Sequence, residues 1–142
     1  MSLEALETLL GFLNVYDGMN NFTDLQVWQK SHRLFLDFII DIGLLPNNRV
    51  TTVLIDQTVR SVSSISANIA EGFASRNPKE YCRYLDIARK SASESENWFL
   101  KFRDSEIMDK ALAQTRIDAC IEISKMIYGL IKSIRNPDNS KL

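Results

Sequence analysis

The chain has 142 residues, 45% of them apolar and 25% charged, the balance of one soluble globular domain rather than a disordered, fibrous or membrane protein. Seventeen Lys and Arg stand against eighteen Asp and Glu, so no overall positive field draws the chain to nucleic acid and no acidic excess keeps it unfolded. Five Gly and three Pro are too few to punctuate the many short strands of a sandwich or barrel, which leaves long helices.

Residues 1–21 carry Leu3, Leu6, Leu10 and Leu13 at near-helical spacing and predict a short accessory helix that packs on the main domain or on a neighbouring copy. Glu4 and Glu7 precede the first basic residue, Lys30, the reverse of a secretory leader. The longest stretches without a charge, 8–16 and 61–70, reach about half of the roughly 20 residues that cross a bilayer. The chain therefore reads as cytoplasmic, with no membrane partner. The domain proper is expected over 22–136, with 137–142 as a tail.

The first helix is predicted to begin near Thr23, where Thr23 and Gln26 have capping-box spacing and Phe22 can staple the entry. Leu25, Trp28, His32, Phe35, Ile39 and Ile42 then alternate three and four apart and predict its buried stripe. Gly43 and Pro46 end it, and Asn47 or Asn48 caps a second helix that carries Ile55, Val59, Val62, Ser66, Ile69 and Phe73 on one side. Asn77, Pro78 and Glu80 supply N-cap, N1 and N3 of a third helix, whose stripe is Tyr81, Leu85, Ala88, Ala92, Ser95, Phe99 and Phe102. That four-three alternation suits near-antiparallel packing in a bundle. A fourth helix starts between 105 and 110 and stops near Arg135, because Asn136 and Pro137 cannot easily continue it. The predicted fold is all-α, an antiparallel up-down four-helix bundle with a short extra N-terminal helix.

The fourth helix has two apolar seams: Ala113, Ile117, Cys120, Ser124, Ile127, Ile131 and Ile134, and beside them Leu112, Ala119, Ile123, Met126 and Leu130. An apolar arc that wide in so small a bundle predicts an interface between copies, with the second seam as the oligomer stripe. On the second helix Gln57, Arg60, Ser64, Asn68 and Glu71 fall on one face and form a polar seam. Ser and Asn are mediocre helix formers, so a run of them amid small residues predicts a helix or a bound partner lying close against that face.

For nucleic acid, the candidate contacts are Arg76, Lys79, Arg83, Lys90 and Lys101, a basic row pointing away from the third helix's apolar stripe. Asp86 and Glu94 dilute it, and Asp86 is placed to pair with Lys90. No stacking platform is evident, since Trp28, Phe99 and Phe102 fall on core stripes and Trp98 on a core edge. His32 is the sole histidine, Cys82 and Cys120 have no CxxC partner, and neither a Gly-rich phosphate loop nor a Glu-x-x-His pair occurs. No catalytic residue, metal or cofactor is expected.

Four strings carry a family resemblance: Phe22-Thr-Asp-Leu-Gln-Val-Trp-Gln-Lys30, Gln57-x-x-Arg60, Ser64-Ile-Ser-Ala-Asn-Ile-Ala-Glu-Gly72 and Ser91-x-x-Glu94-x-Glu96. Together they resemble the four-helix bundle proteins encoded in intervening sequences of bacterial 23S ribosomal RNA genes, sometimes labelled S23. The accessory variability determinant of diversity-generating retroelements is similar, and that relative binds nucleic acid and a reverse transcriptase. The resemblance implies an antiparallel bundle assembled as a homopentamer, with no catalytic activity established. The leading expectation is a nonenzymatic oligomeric scaffold that engages RNA or an RNA-processing protein. The alternative is a small metal-dependent hydrolase or nuclease using Glu71 or Glu94 with Arg60 in a cleft formed on assembly.

Overall fold

The computed structural model describes residues 1–6 and 18–136. Residues 3–6 are helical and exposed, with Ser2 capping them through Oγ to the Ala5 N–H. Leu10 and Leu13 of the expected accessory helix lie outside the described residues. A 3-10 turn, Phe22–Asp24, leads into four helices: α1 (Gln26–Ile42), α2 (Arg49–Ser75), α3 (Pro78–Asp104) and α4 (Lys110–Arg135). There is no strand among the described residues, nor any helix long and apolar enough to cross a membrane.

The helix starts follow from short polar side chains that satisfy otherwise unpaired backbone N–H groups. Asn48, Asn77 and Asp109 cap α2, α3 and α4 by accepting from Thr51, Glu80 and Leu112. The entry to α1 departs from expectation. Asn21 accepts from the Thr23 N–H and Asp24 reaches back to the Asn21 N–H, so the capping box belongs to the 3-10 turn, and α1 starts at Gln26 without a side-chain cap.

Pairs across the bundle show the helices running antiparallel, since residue numbers rise on one helix as they fall on its neighbour. Ser64 meets Ser91 and Ser61 meets Ser95 between α2 and α3. Between α3 and α4, Arg89 lies by Tyr128 and Arg103 by Gln114. Lys30 pairs with Glu122, and Asp41 with Arg116, between α1 and α4. Gly72 is what lets α2 and α3 close up. A Cβ there would sit 3.0 Å from the Tyr84 Cβ and 3.1 Å from the Tyr81 ring.

The predicted stripe of α3 is buried along its whole length, from Tyr81 to Phe102. On α2, Val62, Ile69 and Phe73 are buried while Ile55, Val59 and Ser66 are half-buried, and Thr58, Ser61 and Ile65 share the interior. The α1 stripe is turned by one residue from the expected one. Val27, Ser31, Leu34, Phe38 and Asp41 face inward, whereas His32 and Ile39 are exposed and Trp28, Phe35 and Ile42 half-buried. The inner stripe contains two polar residues, each satisfied: Ser31 donates to the Val27 carbonyl at 2.7 Å, and Asp41 receives Arg116. On α4 the first seam is buried apart from the half-buried Ser124. Cys120 lies within it, and burial pushes its thiol up to about 12.

Candidate self-association and nucleic-acid surfaces

The polar seam of α2 divides along its width. Ser64 accepts from Ser91 at 3.0 Å, and Asn68 donates to the carbonyl and hydroxyl oxygens of Ser64 at 2.8 and 3.0 Å. Asn68 therefore closes its hydrogen bonds inside its own helix, while Ser64 bridges to α3. One turn back, the hydroxyls of Ser61 and Ser95 lie 2.9 Å apart in the buried interior. Gln57 is half-buried. Arg60 and Glu71 are exposed, and among the described residues neither side chain has an ion-pair or hydrogen-bond partner. The small side chains thus receive α3, and the two charges stand outside that contact.

The oligomer stripe predicted on α4 lies largely within one copy. Ile123 is fully buried, and Leu112, Ala119, Met126 and Leu130 are half-buried against the core. Exposed apolar surface gathers instead at one end of the bundle, where α1 turns into α2. Ile39, Ile40, Leu44, Val50 and Val53 are 45, 66, 74, 64 and 53% exposed, and Leu36 lies just before them. They occupy the last two turns of α1, the connecting segment and the first turn of α2. Further back on the outer side of α1, Trp28 stacks on His32 at 4.7 Å, with the Phe22 ring edge-on to Trp28.

Of the expected nucleic-acid contacts, Lys79, Arg83, Lys90 and Lys101 share the outer face of α3, and Arg76 sits just before it as the left-handed C-cap of α2 (φ 52°). Two are engaged. Arg83 pairs with Glu80 at 3.0 Å and lies over the Tyr84 ring, and Lys101 donates to Asn97 at 3.0 Å. The Arg83 pair holds the Glu80 carboxyl below its ordinary range. Asp86 pairs with Arg89 at 3.6 Å rather than with Lys90, because the i, i+3 neighbour reaches it first.

A second basic row, which the sequence reading did not single out, runs along α4. Lys125, Tyr128, Lys132 and Arg135 share one face of that helix, and Arg89 and Lys90 face them from α3. Arg89 and Lys132 both lie against the Tyr128 ring, at 5.8 and 5.5 Å from its centroid. The groove between the helices encloses about 360 Å³ and is lined by Arg89, Glu96, Ile121, Ser124, Lys125 and Tyr128. The usable signal in the sequence was helical spacing: Lys125, Tyr128, Lys132 and Arg135 step by three, four and three. The two apolar seams of the same helix obscure that spacing.

Among the described residues no three His, Cys, Asp or Glu side chains gather as a metal-ligand group. Glu94 accepts from the Trp98 indole at 3.4 Å.

A sequence model of the 23S rRNA-intervening sequence proteins matches residues 23–129. The crystal structure of a protein of unknown function from the S23 ribosomal protein family, from Bacteroides thetaiotaomicron VPI-5482, is similar at 27% identity with a TM-score of 0.69. That match covers 75% of this chain and 98% of the other. Among curated proteins nothing matches.

Proposed function

The chain belongs to the 23S rRNA-intervening sequence protein family, and from that premise we propose that it is a nonenzymatic, self-associating helical scaffold that engages RNA. The observation carrying this reading is the exposed apolar end of the bundle, from Leu36 to Val53. Scattered surface aliphatics are ordinary, but a gathered set with Leu44 74% exposed is the kind of surface that copies cover in one another. Five copies is the number the family resemblance implies. In such a ring the basic rows of α3 and α4 repeat around the assembly, and weak phosphate contacts add when one RNA reaches several of them. The exposed Arg60 and Glu71 continue the Val50 and Val53 face of α2, which supports counting them with the surface that copies cover.

Sedimentation and light scattering at micromolar concentration test the assembly. The wild type runs as a multiple of the 16.2 kDa chain, and Ile40→Asp combined with Val53→Asp runs as a single copy with unchanged helical circular dichroism. A wild type that stays a compact single copy overturns the scaffold. For RNA, fluorescence anisotropy should show binding that weakens steeply with salt and leaves the RNA uncleaved. Cleavage lost on Glu71→Ala with assembly intact would establish the hydrolase instead.

A further inference from the structure

We propose that the α3–α4 groove is a subsite for single-stranded RNA, with one base stacked on Tyr128 and the flanking phosphates held by Lys125 and Lys132. This rests on the RNA-association reading above and narrows it to a place and a strand type. Tyr128 is 51% exposed, whereas the other Phe, Tyr and Trp residues among those described are buried or half-buried. Lys125 precedes it by three residues and Lys132 follows by four, so the two ammonium groups stand on either side of it, seven residues or about 10 Å apart along the helix axis. That arrangement, cation, aromatic, cation along one line, matches phosphate, base, phosphate along a strand.

The surroundings fit the same ligand. Arg89 and Lys132 lie 5.8 and 5.5 Å from the ring centroid, distances at which either cation can swing aside for a base and stay close enough to hold a phosphate. Across the groove Arg89, Lys90 and Ser93 of α3 form the opposite bank, and Ser124 lines the α4 side beside Lys125. Asp86 and Glu96 are the carboxylates on this face, against five cations counting Arg135, and Asp118, which accepts from Gln114, ends the positive run. A duplex keeps its bases stacked on one another and presents only their edges, so it can use the cations but not the ring. A single strand can use both, and stacking on an aromatic is the part that is independent of base sequence.

The test uses the full-length protein with fluorescein-labelled 12-nucleotide oligouridylate and a labelled 12-base-pair RNA duplex, at two salt concentrations. Wild type binds the single strand more tightly than the duplex. Tyr128→Ala weakens single-strand binding by roughly tenfold or more and leaves duplex binding within about twofold, while Tyr128→Phe retains the single-strand affinity. Tyr128 is half in solvent, so both variants fold, and circular dichroism with the subunit count verifies this. Single-strand binding unchanged in Tyr128→Ala, or a preference for duplex, overturns the stacking subsite and leaves RNA association standing. Binding of neither RNA overturns both.

Discussion

Asn77 shows how much a single side chain fixes. Its Oδ1 accepts the Glu80 N–H at 3.0 Å, and Pro78 follows at the first helical position, where a missing N–H costs nothing. Asn77→Ala should lower stability by about 1 kcal/mol in urea titration. Cys120 acts by burial instead. Its thiol, ordinarily near 9.0, is raised to about 12 by desolvation, so the unfolded chain releases this proton at lower pH than the folded one. The resulting stability is complete below pH 9, then declines as pH climbs toward 12, by up to about 1.4 kcal/mol per unit. Chemical denaturation at pH 8, 9.5 and 10.5 measures that slope, and Cys120→Ala should flatten it. Both positions were legible as sequence, the cap from neighbours within one turn and the cysteine from its place on the apolar seam of α4.

At the scale of elements the reading held for α3 and slipped on α1, and the chemistry explains both. The α3 stripe is almost entirely apolar, so spacing alone locates its inner face. On α1 the inner face includes Ser31 and Asp41, whose burial depends on partners the spacing does not reveal: the backbone oxygen of Val27 and the guanidinium of Arg116, 75 positions later. Arg116 grips Asp41 with two hydrogen bonds at 2.6 and 3.0 Å, and its third nitrogen lies 3.5 Å from Asp37. With Asp41 only 2% exposed, Arg116→Ala leaves a buried carboxylate without its cation and should cost about 3 to 5 kcal/mol. Replacing both partners, Asp41→Leu with Arg116→Met, should recover most of that loss in the same titration. Gly72→Ala is expected to destabilise by about 1 kcal/mol or more, since the crowding against Tyr81 and Tyr84 outweighs the gain in helix propensity. The α4 Tyr128 row is hidden in the sequence for a related reason: its basic face becomes a groove only when the opposite bank, Arg89 and Lys90 on α3, lies beside it.

At the scale of the molecule, charge is nearly balanced, minus one overall, so any attraction for RNA comes from where the cations lie. The bundle itself is unevenly tied together. Helices α2 and α3 are both 27 residues long, joined through Arg76 and Asn77 alone, and zipped by Ser61, Ser64, Ser91 and Ser95. Their contacts are near in sequence, and α4 folds back directly onto α3. Helix α1 has a different history. It is synthesised before the others, yet the arginine that neutralises its inward carboxylate is among the last parts of the domain to be made. On a growing chain, α1 can settle against α2 as soon as that helix is made, but its inward Asp41 stays without a cation until translation has passed residue 116, and the interval before that latch closes leaves a nascent copy open to capture by chaperones or by a sister chain.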